Sequence, residues 1–182
     1  METYEAIMTR RSVPKTSDEP LDRTLVERLL EAGVRAPTHH LTQPWRFVVL
    51  AGDARRDLGN AWAAAEADRD PEKVRAKPLR SPVVVAVIGT PKQHLPKVQE
   101  IEEHHAVGAA MQNILLAAHD EGLAAMLRTG KCASYDEVKG VLDVKEGEYI
   151  AGFIYLGRPL GDDERPLTRR TPAAELTEWR GM

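Results

Sequence analysis

The feature that most constrains the fold is a long apolar stretch, residues 106–118, inside a predicted helix over residues 99–121. The first turn of this helix is rich in glutamate, which suits the positive end of the helix dipole. Beyond His105, apolar side chains cover almost every face, so the helix needs apolar partners on all sides. A chain of 182 residues can hardly supply all of them. The stretch therefore predicts a dimer interface, and complete burial within one chain is the alternative.

Strand and helix patterns alternate along the rest of the chain, without internal repeats. The unbroken apolar, β-branched run at 83–88 predicts a central strand covered on both faces. Shorter apolar runs predict strands at 45–50, 123–127 and 149–156. Helices are predicted at Thr3–Thr9, from the N-cap Asp22 to Arg35, at 54–68, and from a capping box of Ser134 and Glu137 to Leu142. Together these elements predict an α+β fold, with a mixed and mainly antiparallel sheet flanked by helices.

The segment 71–82 carries three prolines and four basic side chains. This composition predicts an irregular, solvent-facing segment. Such a segment either covers an active site as a lid or connects two elements over the surface, and the sequence leaves both readings open.

Composition and charge argue against several classes of protein. The chain has 25 lysine and arginine residues and 28 aspartate and glutamate residues, which give a formal net charge of −3. We therefore expect neither a general nucleic-acid binder nor a protein that binds anionic membranes. Cys132 is the only cysteine, which rules out an intrachain disulfide and suits a reducing cytosol. Neither a signal-like N-terminus nor a bilayer-spanning apolar stretch is predicted. We expect a single cytoplasmic domain over residues 1–182.

Two common kinds of site are not predicted. The histidines at 94, 104, 105 and 119 lack the spacing of four residues that a helical zinc site uses, so no metal site is expected. The chain also contains neither Gly-x-Gly-x-x-Gly nor a P-loop motif, which argues against a Rossmann dinucleotide fold and a P-loop nucleotide site.

A compact basic motif, Arg10-Arg11-Ser12, directly follows the first predicted helix. Two guanidiniums beside a serine offer charge-assisted and partly bidentate hydrogen bonds to a phosphate. A solvated basic turn has the same composition, so the motif alone leaves both interpretations open. Further along, Pro37 cannot continue the second helix, and it therefore displays residues 38–42 as a loop that leads into a strand.

These motifs together resemble the flavin-dependent nitroreductase family. The resemblance rests on Arg10-Arg11-Ser12, Arg35-Ala36-Pro37, Gln43-Pro44-Trp45, Gly122 and Tyr155-Leu156-Gly157, and it covers residues 4–157. The spacing is closest to that of the short members of the family. As a set the motifs are specific, although each is weak alone.

The resemblance implies a function and an assembly. It implies an oxidoreductase that binds FMN and uses NAD(P)H to reduce nitro compounds, quinones or a related small acceptor by ping-pong hydride transfer. Because the flavin performs the chemistry, no catalytic side chain is expected. The alternatives are a flavin-fragmenting or other non-nitro redox enzyme on the same fold, and a non-catalytic FMN-binding module. The family also implies a homodimer with flavin sites at the subunit interface and a C-terminal tail that wraps over the partner.

The resemblance also assigns site residues. In the family, the residues that bind the FMN phosphate and ribityl chain correspond to Arg10, Arg11 and Ser12. The residues that approach the cofactor from the other subunit correspond to Arg35 and His39. The loop that lines the flavin corresponds to Leu127, Arg128 and Thr129. The segment for the nicotinamide donor corresponds to Glu121, Gly122, Leu123, Ala124, Ala125 and Met126, although ordinary packing would also explain its apolar residues.

Four positions leave the assignment of the site open. Larger relatives carry serine where Thr38 stands and asparagine where Leu41 stands, and both differences concern the substrate pocket more than the cofactor. Basic tail residues add to the phosphate site in longer relatives, but no motif decides whether Arg169 or Arg170 does so here.

Overall fold

The sheet is built around the apolar run predicted as a central strand. In the computed structural model, which describes residues 1–92, 95–161 and 167–182, four strands form one sheet in the order β1-β2-β4-β3. Their bounds are β1 Trp45–Ala51, β2 Val83–Gly89, β3 Ala124–Arg128 and β4 Tyr149–Gly157. All three pairings between neighbouring strands are antiparallel. Every residue of β2 is buried, which confirms the central position of this strand.

Six helices flank the sheet within the described ranges. They are α1 Thr3–Thr9, α2 Arg23–Val34, α3 Ala54–Ala65, α4 Pro71–Arg75, α5 Glu100–Asp120 and α6 Asp136–Val141. The predicted N-cap of α2 is confirmed, because the Asp22 carboxylate accepts a hydrogen bond from the Thr24 amide at 2.7 Å. The predicted α+β class is likewise confirmed.

The two faces of the sheet carry separate hydrophobic clusters. On one face, α2 and α5 pack against the sheet, with Leu29, Val107 and Ile114 in the core. On the other face, residues of α3, α4 and α6 pack around Phe153 and Tyr155. Helices α2 and α5 approach closely, since a Cβ at Gly33 would lie 2.8 Å from a side-chain carbon of Ile114. The two clusters explain why β2 has to be apolar throughout.

The apolar helix α5 is not fully covered by its own chain. Its sheet-facing residues are buried, but Gly108, Ala109, Met111, Leu116 and Ala117 stay partly exposed. Complete burial within one chain, the alternative to a dimer interface, is therefore wrong. The described elements of the chain do not surround this helix of 21 residues on every side.

The segment 71–82 is helical, so the prediction of an irregular segment is wrong, whereas half of its residues are exposed, as predicted. It forms α4 and a 3₁₀ turn at Pro78–Arg80. Asp70 caps α4 by accepting from the Glu72 amide at 3.1 Å, and Val74 is only 2% exposed. Pro71 and Pro78 favour these structures because each stands at the start of a helical turn, where its missing N–H costs nothing.

The predicted capping box at Ser134 is also wrong. Ser134 ends a 3₁₀ turn at Lys131–Ser134, and its hydroxyl donates to the Lys131 carbonyl at 2.8 Å. Tyr135 takes the N-cap position of α6 instead. The preceding turn competes for the serine side chain, because serine hydroxyls readily bond to nearby backbone carbonyls.

Candidate functional site

The segment after α1 runs along the free edge of the sheet. Arg10 leaves the helical conformation at the end of α1, and three residues later the Val13 amide donates to the Ala125 carbonyl at 2.9 Å. Because β3 is an edge strand, this bond covers part of its unpaired edge. The arginine motif is thereby placed beside the beginning of β3.

Arg10 and Arg11 line two adjacent cavities. The first, here called the strand cavity, has a volume of about 510 Å³ and is lined by both arginines together with Leu115, His119 and residues 122–125. The second, here called the tail cavity, has a volume of about 320 Å³ and is lined by both arginines with Ser12, Thr168 and Arg170. One apolar cavity and one polar cavity therefore meet at the same pair of guanidiniums.

The charges at this junction favour an anion. Among the described residues, Arg10 and Arg170 have no carboxylate within ion-pair distance, and the Arg10 guanidinium bonds only to the Arg11 carbonyl at 3.2 Å. Burial and, next in importance, the charge of Arg10 hold the pKa of His119 below its usual value. The Arg10 charge thus adds a positive potential at the His119 ring, beside the larger effect of burial.

The two cavities fit a ligand that carries both a phosphate and a flat ring. The tail cavity presents guanidiniums and the hydroxyls of Ser12 and Thr168, which are suitable phosphate donors. The strand cavity presents the small side chains of Gly122, Ala124 and Ala125, which leave room for a planar group. The donor set and the shape of the cavities thus match the kind of cofactor expected from the sequence.

The predicted residues from the second motif lie elsewhere. Arg35 is exposed at the C-cap of α2. His39 lines a third cavity of about 570 Å³, here called the loop cavity, with Thr38, His40, His105 and Glu102 also in its wall. The His39 ring lies 3.3 Å from a Glu102 carboxylate oxygen.

The backbone beside the loop cavity is strained. His40, Leu41 and Gln43 have backbone φ angles of 49°, 53° and 46°, which residues other than glycine rarely adopt. Such conformations cluster at binding and active sites, because the surrounding structure must hold them in place. The strain supports a binding role for the loop that Pro37 begins.

The strand cavity and the loop cavity are far apart within one chain. His119 lines the first and His105 the second, and both belong to α5. At 1.5 Å per residue, the two positions are roughly 21 Å apart along the helix axis. The nearest lining residues on α5, Leu115 and Ala109, are roughly 9 Å apart along the axis. Within one chain, Arg10, Arg11 and Ser12 thus line different cavities from His39.

The predicted donor segment lies only in part in the strand cavity. Residues 122–125 line the strand cavity. Glu121 instead accepts two hydrogen bonds at 3.0 Å from the Arg28 guanidinium, and Met126 packs into the cluster on the opposite face of the sheet. Glu121 and Met126 thus hold the two ends of the segment and do not line the cavity.

Residues 127–129 lie at the far end of β3 from the strand cavity. Leu127 packs against the core on the α5 side, and Thr129 is exposed. The Arg128 guanidinium lies over the Tyr155 ring at 5.4 Å, and its Nε is buried without a hydrogen-bond partner in the described structure. These three residues line none of the three cavities described above.

Sequence reasoning missed Thr9 and His119. The sequence suggested His119 only as a metal ligand and rejected that role, whereas the structure places it in the strand cavity, hydrogen-bonded to Thr9 at 2.8 Å. No local signal could have found this pair, because 110 residues separate its members. Within the described ranges no cluster of histidine, cysteine or acidic residues is arranged to hold a metal ion, and His94 lies outside them.

The described helices include none with the length and apolar character needed to cross a lipid bilayer.

Comparisons with known proteins place the chain among flavoenzymes. The model of the nitroreductase family matches residues 7–158. The Escherichia coli (strain K12) protein named "Putative NAD(P)H nitroreductase YdjA" is 29% identical over 164 residues, which cover 87% of this chain and 89% of that protein.

Two solved structures show the same fold. A nitroreductase-like family protein from Bacillus cereus superposes with a TM-score of 0.89 at 24% identity, covering 100% of this chain and 97% of that one. A protein described as a putative nitroreductase from Desulfovibrio desulfuricans, solved in complex with FMN, superposes with a TM-score of 0.78 at 27% identity. That match covers 100% of this chain and 98% of the other.

Proposed function

The chain belongs to the nitroreductase family, and from this premise we propose how its site works. The protein is an FMN-dependent oxidoreductase with NAD(P)H as electron donor. Its acceptor is a nitro compound, a quinone or a related small molecule. The observation that carries the assignment of the site is that Arg10 and Arg11 line an apolar and a polar cavity at once.

The two cavities divide the cofactor between them. In the tail cavity, Arg10, Arg11 and Ser12 would hold the phosphate, and Thr168 and Arg170 line the same space. In the strand cavity, residues 122–125 would lie against the ring. Arg170, rather than Arg169, is thus the tail residue proposed to reach the phosphate.

Bound FMN supplies the hydride-accepting and hydride-donating chemistry, so the chain has to bind, orient and shield rather than react. Residues 122–125 offer small side chains where a flat nicotinamide could dock. Glu121, held by Arg28, and Met126, held in the core, fix the two ends of this segment. The acceptor would occupy the same place after the donor leaves, which is a ping-pong order.

The flavin site is shared between two subunits in this proposal. The partly exposed face of α5 needs a cover, and a second copy packed around a two-fold axis would supply it. With the two α5 helices antiparallel, the loop cavity of one chain faces the strand cavity of the other. Arg35 and His39 would then reach the flavin held by the partner, as the resemblance implies, and Leu127, Arg128 and Thr129 would complete its surroundings.

The C-terminal tail supports the same assembly. Leu176 and Trp179 are 75% and 69% exposed, which is unusual for side chains of this size. A tail that wraps over the partner would bury them. A cytoplasmic location is also part of the proposal, since the one cysteine, Cys132, is free and buried, as suits a reducing compartment.

Flavin retention tests the phosphate site. Arg10→Ala and Arg11→Ala each remove a charge-assisted donor and should weaken FMN binding by about tenfold to a hundredfold. Arg23→Ala is the matched control, because Arg23 is exposed on α2 and pairs with Glu27 away from the cavities. If both cavity variants keep FMN through dialysis as tightly as the parent protein, the phosphate lies elsewhere and the assignment is wrong.

Steady-state kinetics test the reaction. Oxidation of NAD(P)H with a nitroaromatic or a quinone should give parallel double-reciprocal lines when both substrates are varied, because donor and acceptor use one place in turn. Intersecting lines would contradict the ping-pong order. A yellow protein that oxidises NAD(P)H with none of these acceptors would instead favour the FMN-binding module.

A further inference from the structure

His119 is a titratable side chain that lines the strand cavity together with the arginine pair and Glu5, and it has no role in the proposed function. It lies in the last turn of α5, half-buried, with its Nε2 atom 2.8 Å from the Thr9 hydroxyl. That hydroxyl donates its only proton to the Glu5 carbonyl at 2.7 Å. In the tautomer that complements this bond, the Thr9 oxygen accepts from Nε2–H, and Nδ1 is the nitrogen that can take up a proton.

The charges around the ring come from both elements that pack against it. From α1 and its end come Glu5, Arg10 and Arg11, and from α5 comes Asp120. The amine of Met1 lies 2.7 Å from the Asp120 carboxylate and neutralises part of its attraction for a proton. Although the C-terminus of a helix favours a charged histidine, burial and the repulsion by Arg10 dominate and lower the pKa of His119 from 6.5.

We propose that His119 is a further binding residue of this site, and that it takes up a proton when an anionic group lies against Arg10 and Arg11. The inference rests on the proposed function, in which that group is the FMN phosphate. A bound phosphate cancels the repulsion by the arginines and adds an attraction of its own. Protonation of His119 then becomes favourable. Because proton binding and FMN binding favour each other, FMN binds more tightly as the pH falls through the range in which His119 titrates.

The first test follows His119 directly by NMR. The Cε1 proton of His119 is assigned by its loss in His119→Asn or in His119→Gln, and it is titrated in flavin-free protein alone and with FMN. The titration midpoint should rise on binding FMN. Riboflavin, which has the ring but lacks the phosphate, should not raise the midpoint, because the ring only buries His119 further. The decisive titration uses the parent protein, so it does not depend on the folding of a variant.

The second test measures affinity against pH. A rise of one unit in the pKa of His119 on binding corresponds to about tenfold in affinity. As the pH falls from 8 through the range in which His119 titrates, the parent protein should therefore gain FMN affinity over His119→Asn, by about tenfold for each unit by which binding raises the pKa. Protonation of the FMN phosphate itself is common to both proteins and cancels in the ratio. His104→Asn is the control, because His104 contacts Tyr149 and Glu100 outside the cavities and should keep the parental pH dependence.

The outcomes separate this inference from the proposed function. If FMN does not bind to the parent protein, or if Arg10→Ala and Arg11→Ala bind FMN as tightly as the parent does, the proposed phosphate site is wrong. If FMN binds through the arginines but the His119 midpoint stays where it was, the inference about His119 is overturned. An equal rise with riboflavin would also overturn it, because the phosphate would then not be the cause.

Discussion

At the scale of single residues, Glu66 joins three parts of the fold through one carboxylate. It accepts hydrogen bonds from the Trp62 indole at 3.0 Å, the Lys77 ammonium at 2.9 Å, the Arg69 guanidinium and the Tyr135 hydroxyl. The same ammonium lies 4.3 Å above the Trp62 ring. A nearly buried carboxylate with this many donors contributes to stability mainly because its loss would leave those donors unpaired.

The structure predicts how Glu66 responds to acid. Burial alone would raise its pKa, but the bonds from Trp62 and Lys77 outweigh burial and lower it from 4.5 to about 2. A carboxylate with a lowered pKa in the folded state stabilises the fold fully above pH 4.5, and this contribution is lost as the pH falls towards 2. Glu66→Gln should therefore destabilise the protein by about 1–3 kcal/mol near neutral pH.

Urea unfolding of the parent protein and Glu66→Gln at pH 7, 4 and 3 checks this prediction. The difference in unfolding free energy should shrink as the pH falls below 4.5. Glu72→Gln serves as the control, because Glu72 forms an exposed pair with Arg75 and should change stability little at any pH. A difference that stays constant with pH would mean that the charge of Glu66 is not what stabilises the fold.

At the scale of elements, the contact between α3 and α4 depends on a glycine. A Cβ at Gly59 would lie 2.5 Å from the Arg75 carbonyl oxygen, a backbone atom that cannot move away alone. Gly140, in α6, has no such neighbour within 4 Å. The two positions are both helical, so alanine improves the helix propensity equally at each.

Gly59→Ala and Gly140→Ala should therefore change stability in opposite directions. The first forces α4 away from α3 and should cost about 1–3 kcal/mol of unfolding free energy, as overpacking does. The second should stabilise the protein by about 0.5–1 kcal/mol. Thermal and urea unfolding measure both. Equal stabilisation by the two substitutions would show that α3 and α4 are not in close contact.

At the scale of the whole molecule, the shared flavin site makes a prediction about mixed dimers. Arg10→Ala and Arg35→Ala chains should each give a dimer in which both sites are defective. In a two-fold dimer built from one chain of each kind, both substitutions fall in the same site and the other site is intact. Co-expression with two different tags and isolation of the mixed dimer should therefore restore about half of the parental FMN binding and NAD(P)H oxidation.

A second mixed dimer gives the opposite result and serves as the control. One chain carries both Arg10→Ala and Arg35→Ala, and its partner is the parent chain. If sites are shared, each site has one substitution and the dimer is inactive. If each site belongs to one chain, this dimer keeps one intact site and the first mixed dimer has none. That reversed pattern would refute the shared site.

The sequence by itself determined the parts of this protein that depend on neighbours in the chain. The β-branched run at 83–88 specifies a strand buried on both faces because every side chain in it is apolar. Asp22 specifies the start of α2 because its carboxylate reaches an amide two residues away. The arginine motif and the residues around Pro37 indicated the family for the same reason, since a motif is a local pattern.

Only the tertiary structure decided what depends on distant residues. The segment 71–82 packs because Lys77 meets Glu66 and Val74 enters the core, and its composition alone could not reveal either contact. The strand cavity and the loop cavity separate because α5 holds them at opposite ends. His119 resists a proton because folding buries it and brings it close to Arg10, more than a hundred residues away, and a charge acts through space whatever the distance along the chain.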